Sequence, residues 1–495
     1  VAVYTLHVLD PASQRIARIS PFEMFEWTPS VDEQGQILYA RWDYVDRHNM
    51  PYMSLWSTLP DGTDARAVYG NYTQNPHCIF EARRVPGSRK IIFTASGHHA
   101  QTSGSLVLLD PNRGSDGETP TTRLTPEVAF PESEGWPATY FASPYPLSEQ
   151  HYLVAWSDVP LPPGTPRPLW GMPGPPNDLG IYLFDAFGNL HLIYRDPAIS
   201  SMDPLPIRPR RTPPQVASRV ATASAAPAHL LVTDVYQGLT GIPRGTIKQL
   251  RLVGIPAKTY PTMNAPNMGV TQDDPGKFVI GSVPVETDGS AYFQVPPGVA
   301  LFLQALDDQG MAVQTMRSAT YVQPGQTATC IGCHEPRNTA PVNVTPLAAL
   351  RPPSKIAAPV AGSWPLDYRE LVQPVLDARC GSCHQPGSAG GQFDLTAEHS
   401  YQTLVGYGSP SLQQHVQQRY QEGHSTAGHG AARTNPLWTL LDQGHYDVQL
   451  DDTDRARLIV WMDTYGQRAG AFDPNQEDQL RRLRQRVAPM MVESP

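Results

Sequence analysis

The sequence has neither a long apolar run nor a cluster of basic residues. No apolar stretch approaches the roughly 18 residues that a membrane-spanning helix needs, and Val1–Leu9 alternates like a strand instead of resembling a signal peptide. Only 17% of the 495 residues are charged, and the formal net charge is −9. Phosphate binding needs a clustered Lys and Arg surface. We therefore expect no membrane span and no nucleic-acid partner.

Charge is scarce, but proline is abundant. The chain has 52 prolines in 495 residues, whereas ordinary usage is about 5%. Because 40% of the residues are hydrophobic, the composition indicates a loop-rich globular protein and not a disordered one. At roughly 150 residues per domain, the length predicts two to four domains.

Cysteine is rare, and four of the five cysteines lie in two copies of one motif. The copies are Cys330-Ile-Gly-Cys333-His334 and Cys380-Gly-Ser-Cys383-His384. In a CxxCH sequence the thiols form thioethers with haem vinyl groups, and the histidine becomes the proximal iron ligand. Two reduced CxxC pairs, two local disulfides or a zinc site are the alternatives, but a four-cysteine zinc site would leave both histidines without a role. We therefore predict two covalently attached haem c groups. Covalent haem attachment is extracytoplasmic in bacteria, so we also predict a periplasmic or otherwise extracytoplasmic location.

The first half of the chain, 1–255, is predicted to be a β-propeller. Short β-branched or aromatic segments are separated by turns, several of which are led by Asp, as at 59–62, 109–111 and 184–188. Such repeats are typical of propeller blades, although a β-sandwich of the same length is an alternative. Two Pro-rich segments, Pro160–Pro176 and Pro204–Pro214, are predicted surface loops. The predicted strands are Val3–Val8, Ile37–Trp42, Ser54–Leu59, Ile91–Ala95, Ser105–Leu109, Tyr152–Trp156, Ile181–Phe184, Leu190–Tyr194 and Leu230–Val235.

A small all-β domain, 256–325, is predicted to follow. Its denser strands are joined by hairpin signals at Thr287-Asp288-Gly289 and Asp308-Gln309-Gly310. Residues 326–366 hold the first CxxCH motif and a Pro-rich linker, Ala340–Pro365, that we expect to be extended. The predicted strands of the all-β domain are Phe278–Val285, Ala291–Val295, Ala300–Leu306 and Met311–Met316.

The last region, 367–495, is predicted to be an α-helical cytochrome c domain with the second haem. A helix over Asp367–Arg379 leads into the second motif, and Pro374 should kink it or mark a first turn. Asp451–Asp463 is a second predicted helix, with Asp452 or Thr453 as its N-cap, and Glu477–Val487 is the last.

Five segments carry a resemblance to a known family: Ala40–Tyr44, Phe93–His99, Gly104–Pro111, Val285–Phe293 and Cys330–Arg337. The sequence resembles the family of hydrazine synthase α subunits, over nearly the whole chain. The resemblance implies an N-terminal propeller, a middle β domain and a C-terminal two-haem region, in the order predicted above. It also implies haem-dependent redox chemistry on a small, for example nitrogenous, substrate, together with other subunits or a redox partner protein.

The resemblance also implies a candidate zinc site beside the first haem. In that family a Tyr four residues after the motif His ligates the iron, while that His turns to zinc with a Cys and a His from the propeller. Here the fourth residue after His334 is Asn338, so the Tyr is absent. Cys78 and the pair His98-His99 are the counterparts of the propeller ligands, and thiolate with imidazole suits zinc. The alternatives are a buried Cys78 and loop histidines bonded to the backbone.

The second haem needs a distal ligand from outside its motif. We favour His445, because an apolar helix from Pro436 ends at Gly444, just before the cap of the next helix, and this corner should hold a side chain rigidly. The family places a distal His in a similar segment. Iron held by His384 and His445 would have no open position and could only pass electrons. The other candidates are His399, His415, His424, His429 and Met462.

The first haem, if five-coordinate, could bind a small substrate such as a nitrogen oxide or peroxide. We expect Trp42, Asp43, Tyr44, His98 and His99 near it, with blade packing as their alternative role. The leading hypothesis is a dihaem oxidoreductase or a subunit of one. The alternatives are an electron-transfer subunit whose propeller docks a partner enzyme, and a scaffold or binding propeller.

Overall fold

The chain folds mainly into β-sheets, which are followed by a helical C-terminal region. This confirms the predicted fold class at that level. The computed structural model describes residues 4–22, 24–161, 179–221, 226–260, 265–271, 273–333 and 343–492. Most of Pro160–Pro176, together with His334 and Asn338, lies outside these ranges. Within them, no helix is long and apolar enough to cross a bilayer.

Three four-stranded antiparallel units, here called blades A, B and C, follow an N-terminal hairpin of β1 (His7–Asp10) and β2 (Arg15–Arg18). Blade A joins blade B at the residue pair Met53 and Cys78, and blade B joins blade C at Gly104 and Phe141. The strands are β3 Glu26–Val31, β4 Ile37–Trp42, β5 Met53–Thr58 and β6 Arg66–Tyr69 in blade A; β7 Cys78–Arg84, β8 Ile91–Ser96, β9 Gly104–Leu109 and β10 Thr121–Arg123 in blade B; and β11 Tyr140–Pro146, β12 His151–Ser157, β13 Gly180–Asp185 and β14 Leu190–Tyr194 in blade C.

The first strand of every blade contains a β-bulge at an equivalent position. Thr28, Glu81 and Ser143 have φ values of 47°, 55° and 51°, and the pairing with the next strand shifts at each of them. The bulges are bonded to one another: the Glu81 N–H donates to Thr28 Oγ1 at 3.0 Å, and the Ser143 N–H and Oγ donate to the Glu81 carboxylate at 2.6 and 3.0 Å. Left-handed backbone is unfavourable for these residues. Its recurrence therefore marks the blades as copies of one unit.

The blades form an open sheet in the described ranges, with β3 and β14 at its ends. The described residues therefore do not form a closed ring. Predicted Asp-led turns are confirmed, since Asp110 Oδ1 accepts the Asn112 N–H at 3.0 Å and Asp185 Oδ1 accepts the Phe187 N–H at 2.9 Å.

Two sheets and their shared apolar core make up the middle region. In the smaller sheet, β21 pairs in parallel with β15 and ends at Cys330. Both β15 and β16 precede residue 255, yet they pair with strands of the segment that follows it. The smaller sheet has the order β18-β15-β21 and the larger β20-β19-β16-β17-β22-β23; the strands are β15 Ala228–Val232, β16 Gln249–Gly254, β17 Phe278–Pro284, β18 Ala291–Val295, β19 Leu301–Leu306, β20 Ala312–Thr315, β21 Thr327–Cys330, β22 Ile356–Ala357 and β23 Met491–Val492.

The segment predicted as an extended linker, Ala340–Pro365, is only partly extended. It contains the 3-10 helix Leu347–Leu350 and the strand β22. This strand pairs with β17 on one side and with β23 on the other, so it is part of the larger sheet. The linker is therefore held against the middle region by backbone hydrogen bonds.

Eight α-helices are found in the described C-terminal residues. The predicted helix over 367–379 is split at Val372, and Pro374 lies in the first turn of the second piece, as expected. The N-cap of α7 is Asp451, not Asp452 or Thr453, because Asp451 and Asp454 form a capping box. The helices are α1 Tyr368–Leu371, α2 Gln373–Arg379, α3 Ser400–Val405, α4 Leu412–Glu422, α5 Ala431–Thr434, α6 Pro436–Gln443, α7 Asp452–Asp463 and α8 Pro474–Val487, and the 3-10 helix Ala488–Met490 follows.

Candidate haem and metal sites

The second CxxCH motif turns tightly around the end of α2. The Cys380 N–H donates to Leu376 O at 2.8 Å and ends the helix, and the N–H groups of Cys383 and His384 both donate to Cys380 O, at 3.1 and 3.0 Å. Cys380 packs on the helical core while Cys383 is exposed. The two thiols and the imidazole therefore lie at the surface of the helical region, where a planar group can reach all three.

The imidazole of His384 is held in one tautomer. Its Nδ1 lies 3.2 Å from Gly390 O and 3.1 Å from Phe393 O. Because a carbonyl oxygen only accepts, Nδ1 carries the proton and Nε2 is left with its lone pair for a metal. A Cβ at position 390 would lie 2.9 Å from Nδ1 and 2.8 Å from Cys383 O. Glycine at this position is therefore part of the support for His384.

The rings of His445 and His384 lie close together and nearly parallel. Their centroids are 5.9 Å apart and their planes make an angle of 24°. Two imidazoles on opposite sides of one metal ion, each with a metal–nitrogen bond of about 2.0 Å, have centroids about 6 Å apart. His445 follows the end of α6, where Gly444 and Tyr446 have positive φ values that fix the corner. The donor set and its spacing therefore fit a haem iron between the two rings.

The other five candidates for the distal ligand lie elsewhere. His399 Nδ1 is paired with Asp394 at 2.8 Å, and His415 stacks against Tyr465 with 6.3 Å between ring centroids. His424 and His429 are exposed, and Met462 is fully buried in the helical core.

The first CxxCH motif begins at the end of a strand in the middle region. Cys330 lies beside Val232 at the last pair of the β15–β21 ladder. Two N–H groups that follow β15 continue the contact, since Thr233 donates to Cys330 O at 2.9 Å and Asp234 to Ile331 O at 3.1 Å. The Cys333 N–H donates to Gln237 O at 3.1 Å. Both cysteines are therefore positioned by the chain that follows β15, about 100 residues earlier in the sequence.

A cavity of about 430 Å³ lies between blades A and B and the middle sheets, and Cys330 and Cys333 form part of its wall. The wall also carries Arg317, which donates to Tyr465 OH at 2.9 Å and lies over that ring. Asp116, an acidic residue, is also part of the wall, and burial raises the pKa of its carboxyl group. The cavity thus offers both thiols of the first motif a sheltered space with one cation and one acid.

Three of the side chains predicted near the first haem lie at the end of β4 and directly after it: Trp42, Asp43 and Tyr44. Trp42 and Tyr44 line a second cavity, whose described wall does not include Cys330 or Cys333. Asp43 is fully buried and forms an ion pair with Arg41 at 3.1 Å. The sequence gives little indication that Arg317 and Asp116 line the cavity with Cys330 and Cys333, because segments far apart in the chain bring them there.

Cys78 and the two histidines predicted with it lie at one end of β7 and β8. Cys78 pairs with Ser96, the last residue of β8, so the pair His98-His99 follows in the adjoining loop, as expected. The Cys78 sulfur contacts Met53 Sδ at 3.2 Å, and burial raises the pKa of its thiol.

Each histidine of this loop has a partner other than Cys78. His98 Nδ1 is 3.2 Å from Met50 O, and His99 Nδ1 is 2.6 Å from Glu132. Burial lowers the pKa of His98 to about 4, so its imidazole is neutral. Glu132 also lies 3.5 Å from His77, a pairing that the sequence did not suggest. In the described ranges no three His, Cys, Asp or Glu side chains are grouped to hold a metal ion; the zinc prediction also needs His334, which those ranges exclude.

The chain is similar to known proteins in sequence and in fold. A family model described as the hydrazine synthase alpha subunit middle domain matches residues 245–335. Hydrazine synthase subunit alpha of Kuenenia stuttgartiensis is 27% identical over an aligned segment that covers 24% of this chain and 22% of that protein. The structure of Kuenenia stuttgartiensis hydrazine synthase matches with a TM-score of 0.65 at 18% identity, covering 94% of this chain and 72% of that one, which shows a shared fold. The predicted resemblance is therefore confirmed: the chain is similar to hydrazine synthase α subunits in the sequence of its middle domain and in fold over nearly its whole length.

Proposed function

We propose that this protein is an extracytoplasmic dihaem c-type cytochrome that acts on a small, for example nitrogenous, substrate at the first haem and relays electrons through the second. The observation that carries the proposal is the opposed pair His384 and His445, 5.9 Å between ring centroids, beside Cys380 and Cys383. Haem c supplies a one-electron iron couple when bound. The two sites differ in what their own residues allow around that iron.

At the second site the residues would leave no iron position for a substrate. Cys380 and Cys383 would hold the group covalently, and His384 Nε2 and His445 would ligate its iron. The carbonyls of Gly390 and Phe393 keep the Nδ1 proton of His384 in place, which strengthens Nε2 as a donor. Held by these residues, the group would supply electron transfer.

At the first site the candidate space for a substrate is the cavity lined by Cys330 and Cys333. Cys330 and Cys333 would hold the group in the cavity of about 430 Å³. Arg317 in its wall can stabilise negative charge, and Asp116 can hold a proton near neutral pH more readily than an exposed carboxyl, because burial raises its pKa. We place substrate binding here.

We also propose that blades A, B and C belong to a β-propeller. The repeated bulges at Thr28, Glu81 and Ser143 support this, because they occupy the same position in three four-stranded units. Zinc bound by Cys78, His98 or His99, and His334 is the further proposal that the family resemblance supports. Metal analysis before and after Cys78→Ser tests it: we expect near one equivalent of zinc and its loss in the variant, and less than about half an equivalent in the unmodified protein contradicts the site.

Spectroscopy of the purified holoprotein tests the functional proposal. We expect one low-spin haem whose spectrum does not change when ligands are added, and one high-spin haem whose spectrum shifts with nitric oxide or cyanide. Ala67→Trp, which places a ring into the wall of the larger cavity, should slow the ligand-induced shift and leave the low-spin signal unchanged. Two ligand-insensitive low-spin haems would instead assign the protein to electron transfer alone, and haems that redox mediators cannot reduce would favour a scaffold.

A further inference from the structure

A second cavity, of about 230 Å³, lies apart from the cavity that holds Cys330 and Cys333. It is formed by four regions of the chain: the segment around β3 and β4, the loops on either side of residues 261–264, Ala300 just before β19, and Phe472 just before α8. Six of its fourteen wall residues are aromatic. The rings that face it belong to Phe22, Phe25, Trp42, Tyr44, Tyr260 and Phe472.

Ring contacts hold the aromatic wall in place. Phe25 and Trp42 are 5.4 Å apart between centroids with 28° between their planes, and Trp42 lies 5.0 Å from Tyr44. Phe22 is 2% exposed and Phe472 is 8% exposed. Because Phe22, Trp42, Tyr44 and Phe472 are buried, that part of the wall is preformed, and a ligand would have to order only the exposed Tyr260 ring.

The polar groups of the wall differ in how well they are partnered. Both oxygens of Asp273 lie 2.7 Å from Tyr420 OH, and Asp274 accepts the N–H and the hydroxyl of Thr271 at 2.9 and 2.5 Å. The Lys258 ammonium lies 5.4 Å from the centre of the Phe472 ring and interacts electrostatically with Asp273, but no hydrogen-bond acceptor within the described residues is bonded to it. A ligand carboxylate can supply that hydrogen-bond acceptor.

We propose that this cavity binds a small organic monocarboxylate, with its ring or aliphatic body against the aromatic wall and its carboxylate on Lys258. The size is appropriate, because a dry cavity of about 150 Å³ already accepts benzene. The larger volume here leaves space for a short side chain beyond one ring. The proposal is independent of the haem assignments.

Calorimetric titration of the holoprotein with three matched probes tests this site. The probes are phenylacetate, benzyl alcohol and phenethylamine, which share a ring and differ in charge. We expect phenylacetate to bind at least about tenfold more tightly than benzyl alcohol, and phenethylamine to bind most weakly. Lys258→Gln should reduce phenylacetate affinity to the level of benzyl alcohol, whereas Lys248→Gln, at an exposed lysine, should change nothing.

A variant that fills the cavity separates this site from surface binding. Ala300 lines the cavity and is 6% exposed, so Ala300→Phe should abolish binding of all three probes while the visible haem spectrum stays unchanged. If that variant does not fold, the Lys258→Gln titration still decides. The proposal is overturned if phenylacetate does not bind, if it has no advantage over benzyl alcohol, or if Lys258→Gln has no effect. Tighter binding of phenethylamine would also overturn it and would assign the anchor to Asp273.

Discussion

Gly390→Ala should raise the reduction potential of the second haem. The new Cβ would lie 2.9 Å from His384 Nδ1 and 2.8 Å from Cys383 O, so the imidazole or the 390 carbonyl must move. With the Nδ1–H bond to Gly390 O in place, Nε2 would be a stronger donor to the proposed haem iron, which would favour the ferric state. A net hydrogen bond is worth about 0.5–1.5 kcal/mol, and 59 mV corresponds to about 1.4 kcal/mol for one electron, so the expected rise is about 20–60 mV.

Spectroelectrochemical titration of the low-spin haem measures this shift. Gly406→Ala is a matched control in the same region, because its Cβ would meet Gln402 O at 3.2 Å and nothing near His384. We expect the control to leave the potential unchanged. An unaltered or lower potential in Gly390→Ala would refute the inferred role of this loop in supporting His384.

Three other variants test separate parts of the structure. His445→Ala should convert the second haem from low-spin to high-spin without releasing it, whereas His399→Ala should not; an unchanged visible spectrum in His445→Ala would move the distal ligand elsewhere. Glu81→Ala should lower the free energy of unfolding by about 2–4 kcal/mol, because it removes the acceptor for Ser143 and Thr94, while Glu149→Ala, at a partly exposed ion pair, should cost less than about 1 kcal/mol in denaturant titrations. Burial lowers the pKa of His415 from 6.5 to about 4, so the unfolded chain takes up a proton at this residue first and the free energy of unfolding falls as the pH drops from 6.5 through 4. His415→Gln should remove up to about 3 kcal/mol of that loss. An equal dependence of stability on pH in the variant would refute this role of His415.

Regular strands and capped helices could be predicted because their signals are local. The bounds of β4 and β14 match the predicted Ile37–Trp42 and Leu190–Tyr194, and α6 ends before Gly444 as expected. The first strand of each blade was missed because its bulge interrupts the alternation of apolar and polar residues. Pro29 in β3 and Pro144 in β11 added to this, since proline is unfavourable in most strand positions.

The two candidate haem sites differ in how much local signal the sequence gives for their residues. His384 and His445 belong to one compact region, and a corner between two helices is visible in the sequence. The larger cavity is assembled from segments hundreds of residues apart, so its charged groups, Asp116 and Arg317, carry no local signal. Trp42 and Tyr44 line the smaller cavity, and their polarity and aromatic character alone do not specify which cavity a blade end faces.

The mass of the denatured, purified chain tests the central claim most directly. Thioether bonds survive denaturation, so haem attached at Cys330 and Cys333 and at Cys380 and Cys383 must remain with the polypeptide. We predict a mass increment of two haems, falling to one in the double variant Cys380→Ser and Cys383→Ser. An increment of one haem or none in the unmodified chain would contradict the account.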